Sequence, residues 1–308
     1  MSALRIGTRG SPLALWQART VASLLEARGA TTEIVTYKTS GDRLQDAPLT
    51  EVGTKGLFVK ELEDALLSGA VDLAVHSAKD MSVTLPDGLT VAAVLPREDP
   101  RDALVLPKGR TTVDLASAIE ALGGTPSIGT GSIRRSAQLR ALVPHARFGA
   151  VRGNVDTRLR KLDAGEFDAL VLAVAGLKRL GHAERITLAL DVRHCIPAPC
   201  QGIIAIETRE DEPVGVRQMS DPLAWASFRA EQALIAALGG GCQLPLGAVA
   251  TPRGPALEME AIVVSPDGGR RVRGTAVGDA GRPEEVGRQL ADALARDGAV
   301  AILDEVRY

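Results

Sequence analysis

Arginine is concentrated in one stretch of the chain, where its side chains could bind carboxylates or phosphates. A single acid, Asp156, stands there among seven arginines, which are Arg134, Arg135, Arg140, Arg147, Arg152, Arg158 and Arg160. A guanidinium group is planar and matches a carboxylate with two parallel hydrogen bonds. Arg134 and Arg135 also fall in the first turn of a predicted helix, where free backbone N–H groups favour an anion. The stretch predicts an anion-binding cleft, and a solvated basic face is the alternative interpretation.

A second strand-to-helix turn, near the N-terminus, repeats this arrangement. Arg9 follows a predicted strand, and Ser11-Pro12 provides a helix N-cap and a proline at the first helical position. A serine that only caps the helix is the alternative. Because one such half-site falls in each of two successive αβ sets, we predict a cleft between domains that binds a polycarboxylate or a phosphate.

A cluster of mixed charge follows another predicted strand. His76, Lys79 and Asp80 lie at the carboxyl end of that strand, which is the edge where open α/β sheets bind ligands. A carboxylate there could act as a general acid or base, or stabilise a developing cation. An aspartate that only pairs with Lys79 is the alternative. None of the four histidines has the spacing of a zinc motif, so we predict structural histidines and no metal.

One cysteine has an unusual sequence context. Cys242 follows three glycines at 239–241, which leave its thiol sterically open. An inert core cysteine is the alternative, but the glycines favour a reactive or substituted thiol. With Cys195 and Cys200 the chain has three cysteines, an odd and small number that indicates a reducing compartment rather than a disulfide framework.

The overall composition is that of an ordinary globular protein. The chain has 308 residues, 45% of them hydrophobic and 24% charged, so two or more domains with ample cores are expected. Neither a secretory signal nor a membrane span is predicted, because the longest clean apolar run, 169–177, is too short; a cytoplasmic protein is expected. A net charge of -2 and only 3% aromatic residues argue against nucleic-acid binding.

The pattern of apolar residues predicts the elements that position these groups. Short β-rich runs alternate with helical stretches from residue 4 to residue 174, which is typical of α/β layers around a largely parallel sheet. Prolines at 95–100 and 197–199 predict two crossings between domains. After them, a helix at about 223–238, three extended runs and a closing helix that Gly298 ends predict a small α+β domain.

Several motifs, taken in order, resemble one family. They are Lys-Gly-Leu-Phe-Val-Lys-Glu-Leu-Glu at 55–63, His-Ser-Ala-Lys-Asp at 76–80, Gly-Thr-Gly-Ser-Ile-Arg-Arg at 129–135, Arg-Gly-Asn-Val-Asp-Thr-Arg at 152–158, Gln-Gly at 201–202 and Gly-Gly-Cys-Gln at 240–243. Over nearly its full length, the chain closely resembles the hydroxymethylbilane synthase family, also called the porphobilinogen deaminase family.

The resemblance implies a fold of three domains. The first two are α/β lobes like those of periplasmic binding proteins, joined by two crossovers, and the third is a small α+β C-terminal domain that carries the cofactor cysteine. Domain 1 is expected at 1–96 and 196–218, domain 2 at 97–195 and domain 3 at 219–308. The resemblance also implies a monomer.

The resemblance implies a transferase of tetrapyrrole and heme biosynthesis. The family joins four porphobilinogen molecules head to tail with loss of ammonia, and releases linear hydroxymethylbilane by adding water. Its primer is a dipyrromethane cofactor held through a thioether, and the motif match puts that link on Cys242. The same match makes Asp80 the catalytic residue, which stabilises the cationic azafulvenium left by the loss of ammonia.

The motifs also carry over two sets of binding residues. The implied cofactor-binding residues are Cys242, Lys79, Ser77, Ser132, Arg134, Arg135, Arg158 and Asp80. The implied substrate-binding residues are Arg9, Ser11, Arg152, Arg179, Lys55 and Gln201. In one departure from the family pattern, Cys200 stands where glycine normally precedes Gln201, and an exposed thiol there would be open to oxidation.

The alternative function is a cytoplasmic two-lobe protein that binds a polycarboxylate without catalysis. That function explains the arginines and the two lobes. It explains neither the glycines before Cys242 nor a third domain.

Overall fold

Strands and helices alternate along most of the chain. The computed structural model describes residues 3–38, 59–211, 215–239 and 244–307. The strands are β1 (Leu4–Arg9), β2 (Thr32–Tyr37), β3 (Leu73–Ser77), β4 (Leu89–Val94), β5 (Asp102–Val105), β6 (Ser127–Gly129), β7 (Arg147–Gly149), β8 (Ala169–Ala173), β9 (Leu188–Ala189), β10 (Ile204–Arg209), β11 (Leu246–Arg253), β12 (Ala256–Val264) and β13 (Arg271–Asp279). The helices are α1 (Pro12–Glu26), α2 (Lys60–Leu67), α3 (Leu115–Leu122), α4 (Ile133–Leu139), α5 (Val155–Asp163), α6 (Val174–Arg179), α7 (Pro222–Ala237), α8 (Pro283–Arg296) and α9 (Ala299–Arg307).

Two five-stranded sheets form two lobes that are built alike. The first sheet has the order β2-β1-β3-β10-β4 and the second the order β7-β6-β8-β5-β9. In each sheet four strands run in the same direction, and the fourth in the order, β10 or β5, runs antiparallel to both of its neighbours. That fourth strand comes directly after a crossing between the lobes. The two α/β lobes expected from the sequence are therefore confirmed.

The C-terminal part is a small α+β unit, as predicted. Strands β11, β12 and β13 form an antiparallel sheet, and Leu290 and Leu294 of α8 are fully buried in the core beneath it. Helices α7 and α8 pack so closely that a Cβ atom on Gly287 would lie 2.1 Å from the carbonyl oxygen of Ala230. No helix in the described part of the chain is long and apolar enough to cross a membrane.

The two crossovers lie against each other and against α7. The backbone N–H of Glu98 donates to the carbonyl of Gly202 at 3.1 Å. Arg97 forms a two-point ion pair with the buried Glu231 of α7, at 2.6 and 3.2 Å, and also donates to the carbonyl of Gln201 at 2.9 Å. One arginine thus ties both crossovers to the C-terminal unit. The predicted domain boundaries fall in or beside these segments, and as exact positions they stay predictions.

Three strands that flank the crossovers were not predicted, and two of them contain a buried acid. No strand was expected at β4, β5 or β10, although β5 begins with the buried Asp102 and β10 contains the buried Glu207. Buried charges break the apolar pattern on which strand prediction depends. Gly298 does follow the end of α8, with φ at +95°, but it does not end the helical region because α9 begins at the next residue.

The contact between the crossovers predicts a strong effect of one methyl group. Gly202 has φ at +89°, and a Cβ atom there would lie 2.3 Å from the carbonyl oxygen of Glu98. We expect Gly202→Ala to lower the free energy of unfolding by about 3 kcal/mol, from backbone strain plus the steric clash. Urea titration measures this loss.

The matched control is Gly29→Ala, because Gly29 has nearly the same φ, +87°, and nothing within 4 Å of the added methyl. The control carries the backbone strain without the clash, and should cost about 1 kcal/mol. Equal losses in the two variants would contradict the close approach of the two crossovers.

Candidate functional site

The 3-10 turn Ala78–Asp80 follows β3, and its consecutive side chains line two different spaces. Asp80 lines the Asp80 pocket, whose other polar lining residues are Arg9, Ser11, Gln17, His76 and Ser77. Lys79 lines the Lys79 cavity, which also includes Ser132, Arg134, Gln232, Met81, Ile235, Leu244 and Leu246. A carboxylate and an ammonium group from neighbouring residues therefore face two spaces that meet at this turn.

The Asp80 pocket is built where β1 and β3 end beside the start of α1. Ser11 caps α1, because its hydroxyl accepts a hydrogen bond from the N–H of Ala14 at 3.3 Å. The amide of Gln17, one turn further along α1, donates to the hydroxyl of Ser77 at 2.9 Å. Arg9 is half-buried and Asp80 is exposed. The structure thus brings together four of the predicted residues: Arg9, Ser11, Ser77 and Asp80.

His76 points towards a carboxylate on its own sheet. Its Nε2 lies 2.9 Å from Oε2 of Glu207, and both side chains are buried. Burial raises the pKa of the nearby Glu63 carboxyl, and the charge of Glu207 raises it further. This pairing agrees with a structural histidine. Among the described residues, no group of three or more His, Cys, Asp or Glu side chains is placed to hold a metal ion, and the absence of a metal stays a prediction.

Lys79 is surrounded by both kinds of charge. Its Nζ donates to Oε1 of Gln201 at 3.3 Å. Burial lowers the pKa of the Lys79 ammonium group to about 8, and the charges of Arg135 and Arg134 lower it too, whereas those of Asp80 and Asp102 raise it. A ligand carboxylate that approaches Lys79 would stabilise the protonated side chain, since an opposite charge favours the charged form.

Arg134 and Arg135 are almost fully buried, with 4% and 6% of their surface exposed. Ser132 caps α4 by accepting a hydrogen bond from the N–H of Arg135 at 3.4 Å, so both arginines lie in the first turn, as predicted. Each forms an ion pair of 2.7 Å with the same carboxylate, that of Asp102. Their guanidinium groups are therefore already partly paired within the protein.

Asp102 is the residue of this site that the sequence did not single out. It is 0% exposed, and it also accepts a hydrogen bond from the amide of Gln201 at 2.9 Å. Burial alone would raise the pKa of its carboxyl, but the charges of Arg134 and Arg135 hold that pKa below its ordinary value. The only sequence signal was an acid at the start of the short apolar run 103–106.

The other predicted arginines differ in their contacts. Arg158 interacts electrostatically with both Asp80 and Arg135. Burial and then the charge of Arg135 lower the pKa of its guanidinium group to about 10, whereas the charge of Asp80 raises that pKa. Arg179 donates to the carbonyl of Gly202 at 2.6 Å and lies 5.7 Å from the ring centre of Trp16. Arg152 is half-buried between β7 and α5. Of these three, Arg158 belongs electrostatically with Asp80.

Two of the predicted site residues, Cys242 and Lys55, lie outside the described residues. The other two cysteines are buried. Cys200 has φ at +60°, a conformation that glycine adopts most readily, which explains why a glycine suits this position. Because the thiol of Cys200 is buried, the oxidation considered for an exposed thiol is not favoured.

Comparison with known proteins gives consistent matches over the whole chain. The family model described as porphobilinogen deaminase, dipyromethane cofactor binding domain, matches residues 4–215, and the porphobilinogen deaminase C-terminal domain matches residues 225–296. The porphobilinogen deaminase of Syntrophomonas wolfei is 46% identical over 100% of both chains. That of Acidithiobacillus ferrooxidans is 47% identical over 99% of this chain and 98% of its own.

Among solved structures the likeness is more distant. An ancestral cationic amino acid solute binding protein matches at 14% identity, over 70% of this chain and 87% of its own, with a TM-score of 0.42.

The environment of Lys79 predicts an unusual titration. We expect the dimethylated side chain of Lys79, followed by carbon-13 NMR and assigned by its loss in Lys79→Arg, to titrate near pH 8 rather than near its ordinary value of 10.5. In Asp80→Asn the same signal should titrate lower still, because Asp80 favours the charged form. A signal that moves upwards in Asp80→Asn would contradict this arrangement of charges.

Proposed function

The chain belongs to the porphobilinogen deaminase family, and from that premise we propose that it joins four porphobilinogen molecules into linear hydroxymethylbilane. The proposal makes it a transferase of tetrapyrrole biosynthesis that builds on a dipyrromethane linked to Cys242. The observation that carries the proposal is the turn Ala78–Asp80, which presents one exposed carboxylate beside the cations Lys79, Arg134, Arg135 and Arg158.

The Lys79 cavity has the lining that a dipyrromethane needs. A dipyrromethane has flat apolar rings with carboxylate side chains, and this cavity combines the apolar Met81, Ile235 and Leu246 with cationic and hydroxyl groups. Leu244, two residues after Cys242 in the chain, also lines it. The residues proposed to hold the cofactor are Lys79, Ser77, Ser132, Arg134, Arg135, Arg158 and Asp80. When bound, the dipyrromethane supplies the pyrrole carbon at which the chain is extended.

The Asp80 pocket suits the incoming substrate. Porphobilinogen carries an acetate and a propionate, and Arg9 with the positive end of the α1 helix dipole is a matching counter-surface. The residues proposed to bind the substrate are Arg9, Ser11, Arg152, Arg179, Lys55 and Gln201. Gln201 also accepts a hydrogen bond from Lys79, which lines the Lys79 cavity.

Asp80 is proposed to stabilise the positive charge that forms on the substrate. When the protonated aminomethyl group leaves as ammonia, the carbon–nitrogen bond breaks and the pyrrole keeps a positive charge. A fixed carboxylate lowers the energy of that cation, and it can accept the proton that the pyrrole carbon later loses. The neighbouring cations hold the substrate carboxylates away from Asp80, so that the charge of Asp80 acts on the reacting ring.

The wider proposals concern location and assembly. A net charge of -2, few aromatic residues and the odd number of cysteines support a cytoplasmic protein that does not act on nucleic acid. By its family the protein is proposed to act as a monomer and not to bind membranes.

Covalent attachment is tested by mass. We expect the purified chain to weigh more than its amino acids by one dipyrromethane in denaturing mass spectrometry, and Cys242→Ser to have only the mass of its amino acids. The control is Cys200→Gly, which introduces the residue that suits φ at +60° and should keep the extra mass. A wild-type chain that carries no extra mass, even after exposure to porphobilinogen, would refute the proposed link.

The role of Asp80 is tested by removing its charge at constant size. We expect Asp80→Asn to lower kcat for porphobilinogen consumption by about 10²-fold or more. The urea midpoint should not change, because the side chain is exposed. Asp87→Asn, at another exposed aspartate shortly after the turn, is the matched control and should keep wild-type kcat. Similar rates for Asp80→Asn and wild type would rule out the electrostatic role.

A further inference from the structure

Asp102 occupies a position where an unpaired charge could not persist. It is the first residue of β5, directly after the first crossover, and its side chain is fully buried. A buried carboxylate is costly unless opposite charges and hydrogen bonds compensate it. The groups that donate to the Asp102 carboxylate are therefore the groups that it holds in place.

The donors to Asp102 come from three separate segments. From α4, Arg134 Nη1 lies 2.7 Å from Oδ2, and Arg135 Nε and Nη2 lie 2.9 and 2.7 Å from Oδ1. From the second crossover, the amide of Gln201 lies 2.9 Å from Oδ1. The thiol of Cys195, at 3.5 Å from Oδ2, completes the shell, and burial followed by the charge of Asp102 raises its pKa to about 12.

These contacts treat the two arginines differently. Arg135 is held on several sides, since its Nη1 also donates to the carbonyl of Val171 at 3.0 Å. Arg134 is held through Nη1 alone, which donates to Asp102 and to the carbonyl of Ile196, both at 2.7 Å, and to the sulfur of Cys195 at 3.7 Å. Within the described part of the chain, Nε and Nη2 of Arg134 have no partner, and Arg134 lines the Lys79 cavity. That edge is a free fork for one carboxylate.

We propose that Asp102 is a positioning residue for this cavity: it fixes Arg134 and Arg135, cancels one of their two positive charges, and leaves the Nε–Nη2 edge of Arg134 for a single carboxylate of the bound pyrrole. The inference rests on the proposed function for the identity of that pyrrole. It adds that the strength of carboxylate binding is set by the balance of one acid against two arginines, and not by the number of arginines.

Opposite changes of charge should have opposite effects. In Arg135→Gln, Asp102 is left to neutralise Arg134, so the cavity loses one positive charge and keeps that of Lys79. In Asp102→Asn, the cavity gains one. In the double variant Asp102→Asn/Arg135→Gln the balance is restored, because one charge of each sign is removed. Damage to the fold alone would make the double variant at least as impaired as either single variant.

The test follows covalent loading in place of turnover. Each protein is produced in cells that make no porphobilinogen and is then given porphobilinogen at about 0.05 and 0.5 M KCl, where screening differs strongly. After one fixed, short reaction time, denaturing mass spectrometry gives the porphobilinogen concentration at which half of the chains are loaded. For Arg135→Gln we expect this concentration to rise about tenfold and to depend less on salt. For Asp102→Asn we expect a steeper salt dependence than in wild type.

The double variant tests the role of Asp102 even if Asp102→Asn alone does not fold. We expect it to load within about threefold of the wild-type concentration and with wild-type salt dependence, because the amide oxygen introduced by Asp102→Asn and the carbonyl of Ile196 still accept from Nη1 of Arg134. Asp99→Asn is the matched control, because Asp99 lies on the same crossover and pairs with Arg101 at 2.7 Å, and it should change neither quantity.

Two results would overturn the inference: a double variant that loads no better than Arg135→Gln, or single variants whose salt dependence shifts in the same direction. Loading and turnover by the wild-type chain test the proposed function separately, because the inference depends only on the differences among the variants.

Discussion

Burying two guanidinium groups in one cleft requires a carboxylate beside them. Arg134 and Arg135 are neighbours in sequence and in space, so their charges repel each other and both lose hydration. The two carboxylate oxygens of Asp102 each lie 2.7 Å from one of the guanidinium groups. The carboxylate therefore offsets the repulsion and replaces part of the lost hydration. Because its donors come from α4, from the second crossover and from Cys195, the same carboxylate also links the arginines to the junction between the lobes.

The junction itself is held by a second buried ion pair. Arg97 of the first crossover binds Glu231 of α7, and Glu231 in turn accepts hydrogen bonds from the N–H groups of Cys200 and Ala250. These contacts connect the second crossover and β11 to the same carboxylate. The C-terminal unit, whose sequence includes Cys242, is therefore fixed against both crossovers by one acid. Through Gln201, which contacts Lys79, this joint lies next to the turn that presents Asp80.

The positions of the candidate site residues follow from ordinary features of α/β folds. Arg9 and Asp80 lie at or just after the carboxyl ends of β1 and β3, and Arg134 and Arg135 in the first turn of α4. Within each of the two sheets such ends converge at one edge, because parallel strands end on the same side. The strand ends determine where these side chains lie, and burial determines how far their pKa values move. The lowered pKa of Lys79 and that of Arg158 both depend on enclosure by surrounding elements as well as on neighbouring charges.

The sequence by itself determined the alternation of strands and helices, the capping residue Ser11, and the residue types that gather at the strand ends. These features depend on local spacing, since a cap or an apolar face is set by residues within one or two turns. The sequence did not determine that Asp102 pairs with Arg134. Nor did it determine that Glu231 pairs with Arg97, which lies more than a hundred residues from it in the chain. Such pairs form only when the chain closes in three dimensions, and a buried acid in a short strand looks like an exposed one until its neighbours are known. Tertiary structure alone therefore decided which arginines remain available to a ligand.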